Sequence, residues 1–104
     1  MTVATIADTA VDLDEEGFLT DHTQWNEQVA AQLAANIGIK LTDDHWKAIR
    51  FVRQDYEAEG ETPTLRRVTN VAGIPTKKLF ALFPKKPAKK MSYVAGVPKP
   101  VGCV

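Results

Sequence analysis

Thr42-Asp43-Asp44-His45-Trp46-Lys47-Ala48-Ile49-Arg50-Phe51-Val52-Arg53-Gln54-Asp55-Tyr56-Glu57-Ala58-Glu59-Gly60 is the stretch on which the fold turns. Thr42 offers a side-chain oxygen to the free amides of a helix start, and Asp43 and Asp44 bring negative charge to the positive end of the helix dipole. Trp46, Ile49, Val52 and Tyr56 recur at three- and four-residue steps and make one apolar face, while Gly60 supplies the residue that ends a helix. A helix with one apolar stripe needs something to pack on. The preceding sequence provides it: Trp25, Val29, Leu33 and Ile37 form a ladder over about Thr23 to Ile37, stopped by Gly38.

Downstream, Thr62-Pro63 opens a third helix with proline at its favoured first position, Leu65, Val68 and Val71 inward, and Gly73 as its stop. After the tight Ala72-Gly73-Ile74-Pro75 link, Thr76 caps a short fourth helix through Leu79, Phe80, Leu82 and Phe83, which Pro84 terminates. A fifth runs from about Pro87 to Ala95, before Gly96. Upstream, Thr9–Leu13 and Phe18–Thr20 flank Asp14-Glu15-Glu16-Gly17, which predicts a short β-hairpin. The expected fold is mainly α: a small helical bundle with a short N-terminal β-hairpin, a helix-turn-helix-like pair and an extended C-terminal arm. Residues 1–96 are read as the domain and 97–104 as a flexible arm.

The 104 residues suit one domain with a modest core. No run of about 20 apolar residues occurs, and the N-terminus has no basic region followed by an apolar one. A soluble cytoplasmic protein without a membrane partner is expected, and a single cysteine fits a reducing compartment. The net charge of zero hides a division. Residues 1–61 carry all 13 acidic groups and only four basic ones, Lys40, Lys47, Arg50 and Arg53, whereas residues 62–104 carry nine basic groups and no acid. Either the C-terminal half meets an anionic surface, or the two halves attract one another within the fold.

The chain ends in Val97-Pro98-Lys99-Pro100-Val101-Gly102-Cys103-Val104. A sole, penultimate cysteine closes no intramolecular disulfide and is poorly placed for a core. The two prolines favour a polyproline-type strand, which at about 3.1 Å per residue projects the thiol roughly 25 Å from the last helix. Gly102 lets the backbone next to the sulfur enter a narrow partner pocket. His22 and His45 lack the local spacing of a metal site, no phosphate-binding glycine loop is present, and no cofactor is implied. The chain therefore has no self-contained catalytic site, and Cys103 is the remaining nucleophile. A thiol near its reference value of about 8.5 is only a few per cent thiolate at neutral pH, so its reactivity depends on exposure, on Lys99 or on the partner's pocket. A single exposed thiol suits group carriage: it takes the outer sulfur of a persulfide and offers it onward, with no resolving cysteine to expel it.

A competing signal lies in residues 64–84, which resemble the helix-turn-helix of TetR-type repressors, with Thr76 to Phe83 as recognition helix. Arg66, Arg67, Lys77 and Lys78 suit phosphate contacts, so a nucleic-acid partner and a DNA-binding regulator of sulfur metabolism form the alternative.

Asp14-Glu-Glu-Gly-Phe-Leu with Trp25, Leu41-Thr-Asp-Asp-His-Trp46 with Phe51-Val-Arg53, Leu82-Phe-Pro84, Pro87-Ala-Lys89 and Ala95-Gly-Val-Pro-Lys-Pro-Val-Gly-Cys-Val104 together resemble the DsrC/TusE sulfur-carrier family over nearly the whole chain. The resemblance implies a small helical protein whose Cys103 receives sulfur as a persulfide in a cytoplasmic relay. It implies a donor of TusBCD or DsrEFH type and an acceptor such as a tRNA thiouridylase. One branch of the family carries a second cysteine eleven positions earlier and works with dissimilatory sulfite reductase. Ser92 stands there in this chain, so the resemblance leans to the TusE-like branch, with association with sulfite reductase as a further alternative. Two departures from the family pattern are the short Gly73-Ile-Pro-Thr76 link and Lys86, where glycine is usual.

Overall fold

Helix α2, Asp43–Glu59, runs through the middle of the computed structural model, which describes residues 2–100. Its Thr42 start is a reciprocal cap closed by His45: the Thr42 amide donates to Nδ1 at 3.1 Å and Thr42 Oγ1 lies 2.8 Å from the same nitrogen. The carbonyl of Leu82, 2.7 Å from Nε2, can only accept, so Nε2 carries the proton. His45 is thus a buried hydrogen-bonded strut between the start of α2 and the end of α4, Thr76–Leu82. Gly60 ends α2 at φ +78°, as its position predicts.

Helix α1 spans Glu27–Asn36, later than the apolar ladder suggests. Asp21 caps a separate 3₁₀ turn, His22–Gln24, and Asn26 caps α1 by accepting the Val29 amide at 2.8 Å. Between two caps Trp25 adopts extended backbone, φ −81° and ψ 146°, and its ring is freed to point at α5, Pro87–Ala95. Helix α5 packs on both α1 and α2. Its buried residues Ala88, Ser92 and Ala95 are small, and Ala95 shares the main core with Ala30, Ala34 and Ala48. Ile49, Val52, Val68, Leu79, Phe83 and Met91 complete the core, each fully buried at a gain of about 1.5–3 kcal/mol for a large apolar side chain.

The hairpin is one strand earlier than expected. β1, Thr2–Ile6, pairs antiparallel with β2, Thr9–Leu13, through a two-residue Ala7-Asp8 turn with φ +50° and +63°. Two left-handed residues match the strand twist, but alanine carries none of the usual sequence signal for them. The Asp14–Gly17 turn does form, and beyond it only Leu19 bridges to Leu13. Val11, Leu19, Val29 and Leu33 make a second small core beneath the hairpin.

The third helical segment begins at Leu65 with Thr64, not Pro63, as its neighbour: Thr64 Oγ1 accepts the Arg67 amide at 3.2 Å. After one turn, α3 (Leu65–Arg67) widens into a π-helical turn, Val68–Ala72, which rotates Val71 out of the expected face and leaves it 57% exposed. Phe80 on α4 is 48% exposed, since Leu79 and Leu82 occupy the inner side of the helix. Thr76 is the first residue of α4 rather than its cap, and its hydroxyl pairs with that of Thr69 at 3.0 Å.

Gly38 and Gly96 both close helices at positive φ, +73° and +70°, but only Gly96 is crowded: a Cβ there would lie 2.3 Å from Trp25 Cδ1. Gly38→Ala should cost about 1–2 kcal/mol, the left-handed penalty alone. Gly96→Ala adds an overpacking cost of about 1–3 kcal/mol, because the indole it strikes is held in place. Calorimetry should show the larger fall in Tm for Gly96→Ala, and equal falls would contradict this account.

Candidate functional site

The site is the place where the chain leaves α5 toward the cysteine. Gly96 and Val97 close the helix, their amides donating to the carbonyls of Tyr93 at 3.3 Å and Ser92 at 3.2 Å. Trp25 Nε1 donates to the Val94 carbonyl at 2.9 Å, and Arg53 Nη1 to that of Ala95 at 2.9 Å, so the last carbonyls of α5 are satisfied by side chains from elsewhere. Arg53 also donates through Nη2 to His22 O at 3.1 Å and lies 4.1 Å above the Trp25 ring, a cation–π contact. Burial draws the Arg53 guanidinium below its ordinary value, opposed by the negative charge of Glu57.

The first half of the expected arm is held to the body. Val97 is fully buried, Thr62 Oγ1 donates to the Pro98 carbonyl at 2.7 Å, and Pro100 is buried. Lys99 is exposed and pairs with Glu16, its Nζ 3.0 Å and 3.2 Å from the two carboxylate oxygens. Lys89 on α5 reaches the same carboxylate at 3.4 Å. Glu16 is presented by the acidic turn: Asp14 Oδ1 accepts the amides of Glu16 at 2.8 Å and Phe18 at 2.9 Å, and buried Phe18 packs edge-on against Tyr93 of α5. A groove of about 340 Å³ runs beside Pro98 and Lys99, lined by Tyr56, Gly60, Glu61, Thr62 and Thr64.

Cys103 lies outside the described residues, three positions after Pro100. Chain length alone keeps its Cα within about 11 Å of Pro100, against the roughly 25 Å reckoned from the helix end. Sequence reasoning singled out Lys99 but missed the groups that hold the segment. Thr62 carries no local signal of it, whereas Glu16, Trp25 and Arg53 appear in the family-like pieces without a stated role.

The four basic residues of the helix-turn-helix-like pair divide in two. Arg67 makes a bidentate pair with buried Asp55 of α2, Nε to Oδ2 and Nη2 to Oδ1 both at 2.8 Å, and that hydrogen-bonded charge raises the guanidinium's affinity for its proton. Lys78 pairs with Asp44 at 2.9 Å and holds that carboxyl below its ordinary value. Arg66 and Lys77 are exposed and make no ion pair among the described residues. Among those residues, no three His, Cys, Asp or Glu side chains are grouped to hold a metal, and His22 packs edge-on against Tyr56 at 5.0 Å. No described helix is long and apolar enough to cross a membrane.

A two-stranded hairpin over a small helical body, with a proline-rich segment clamped at the end of its last helix, defines a class of small proteins, and that class has a family. Residues 5–104 match the family model described as DsrC like protein, and the chain belongs to that family. It is 39% identical over 101 residues to sulfurtransferase TusE of Salmonella typhimurium, covering 90% of this chain and 93% of that one. Among solved structures, DsrC of Allochromatium vinosum superposes with a TM-score of 0.86 at 36% identity, over 99% of this chain and 100% of that one. The DsrC/gamma subunit of dissimilatory sulfite reductase of Pyrobaculum aerophilum does so with a TM-score of 0.82 at 38% identity, over 99% and 95%.

The Lys99 hydrogen bond is the main cause holding the Glu16 carboxyl below its ordinary value, with Lys89 adding to it. A carboxyl depressed in the folded state contributes stability above its unfolded value and loses it as pH falls through the folded one. The clasp should therefore open in acid, below the ordinary glutamate range. The Lys99 side-chain NMR resonances should titrate there and stop doing so in Glu16→Gln. An unchanged titration in that variant would mean that Lys99 is held otherwise.

Proposed function

We propose that this protein is a sulfur carrier acting through Cys103. The Cys103 thiolate attacks the outer sulfur of a donor persulfide, the donor's S–S bond breaks, and the donor cysteine leaves as a thiolate. Cys103 is then the persulfide. An acceptor thiolate attacks its outer sulfur in turn and Cys103 departs as the thiolate, so sulfur moves without net oxidation or reduction. The observation that carries this reading is a clamped segment, Val97 to Pro100, with the chain's sole cysteine three residues beyond it. The clamp gives the thiol a defined origin on the body, three residues from Pro100, which favours productive encounter with a partner pocket.

The donor in this reading is a protein of TusBCD or DsrEFH type and the acceptor a tRNA thiouridylase, in the cytoplasm, where thiols stay reduced. The sulfurtransferase name of the Salmonella relative supports it. Ser92 supports one-sulfur carriage over an internal disulfide with Cys103: it is a buried hydroxyl at 1% exposure, bonded to the Ala88 carbonyl at 2.8 Å, in a chain with one cysteine. The sulfite-reductase association in the name of the Pyrobaculum relative would then not use such a disulfide here. DNA recognition through residues 64–84 draws less support, since Arg67 and Lys78 are engaged with α2.

Incubation with a persulfide donor should add about 32 Da to the intact mass, on Cys103 alone. The adduct should be absent in Cys103→Ser and discharge to an added thiol. No adduct from several competent donors would overturn the reading.

A further inference from the structure

The nine basic residues of the C-terminal half are not equally engaged. Arg67, Lys78, Lys89 and Lys99 pair with Asp55, Asp44 and Glu16, so attraction between the halves accounts for these four. Lys85, Lys86 and Lys90 make no ion pair among the described residues; Lys85 and Lys86 lie between α4 and α5, and Lys90, in the first turns of α5, donates from its ammonium to the Pro84 carbonyl. Lys85 and Lys90, with Lys40 from the loop before α2, line a groove of about 410 Å³. Its floor is Ile37, Ile39 and Leu82, and no acidic side chain lines it.

This arrangement is unfavourable in isolation. Lys85 and Lys86 both hold left-handed backbone, φ +58° and +47°, at a cost of about 1–2 kcal/mol per residue. Lys86, Lys89 and Lys90 also crowd the positive end of the α5 dipole, with no acid in its first turn to offset them. Lysines gathered around a concave, acid-free surface await a polyanion.

We propose that this groove docks the phosphate backbone of an RNA. A folded protein partner presents mixed charge and is matched by mixed charge that fixes its register. A nucleic-acid backbone is uniformly negative and calls for cations without interspersed acids, as in this groove and throughout residues 62–104. The choice of RNA over another phosphate polymer rests on the sulfur-relay reading, in which the acceptor works on tRNA; the cationic groove does not depend on that reading. The surface differs from the helix-turn-helix-like pair, whose Arg66 and Lys77 are absent from its lining.

The test is fluorescence anisotropy of a labelled, unmodified tRNA transcript titrated with the full chain. With three lysines engaged, raising salt from about 50 to 200 mM should weaken binding about 20- to 40-fold. Lys40→Gln with Lys85→Gln, both exposed positions, should lower the salt slope by about 1.5, and Arg66→Gln with Lys77→Gln should leave it unchanged. Circular dichroism confirms that both variants are folded. Absence of binding at low salt, an unaltered slope in Lys40→Gln/Lys85→Gln, or equally tight binding of duplex DNA or poly-glutamate would each overturn the proposal. The mass assay on the same preparations separates the two ideas. A Cys103 adduct without RNA binding overturns only the groove, and RNA binding without an adduct overturns only the relay.

Discussion

The rest of the structure depends on the Arg53 guanidinium lying over the Trp25 ring at the end of α5. A half-buried cation is tolerable only when its donors are satisfied, and Arg53 meets that requirement with two backbone carbonyls, one from α5 and one from the 3₁₀ turn. The same contact fixes the indole whose N–H closes the neighbouring carbonyl of Val94. Three segments distant in sequence are thereby joined at one point, and the path of the chain beyond Ala95 is set by it. Gly96 follows as a requirement, because the indole occupies the space of any side chain there.

From that point the C-terminal segment is guided by weaker contacts of several kinds. Apolar burial holds Val97, one hydroxyl holds the Pro98 carbonyl, and an exposed ion pair holds Lys99. Exposed ion pairs contribute little individually and are screened by salt. Their value here is geometric: the glutamate is shared by Lys89, so its charge keeps a partner when Lys99 moves. A carrier needs a thiol that is delivered from a constant place and surrendered to different partners, and a clasp of this strength suits both demands.

Elements whose signals are local were readable in the sequence. Helix α2 has its cap, its acidic first turn and its terminal glycine within one stretch, and α5 has Pro87 at its start and Gly96 at its close. Signals failed where two local tendencies competed. Trp25 fits the helical ladder of Val29 and Leu33, yet Asn26 is a better cap and excludes it. Ala7 lacks the composition of a tight turn, so the local signal favours the Asp14–Gly17 side of β2 over the side on which β1 pairs. Val71 has a helical spacing that a single π turn cancels. His45 and Asp55 read as ordinary polar residues of α2, whereas each is buried because a partner from another element satisfies it.

By itself the sequence determined the succession of helices, the uneven distribution of charge and the placing of one thiol beside the C-terminus, because caps, periodicity and restricted φ act between near neighbours. Only the tertiary structure decided which cations are paired inside the fold and which make no ion pair among the described residues, and where the segment leading to the thiol leaves α5. Glu16 meets Lys99 across 83 residues and Arg53 meets Ala95 across 42. Such pairs are selected by the packing of α1, α2 and α5 around a common core, which brings together groups that carry no mark of one another in the chain.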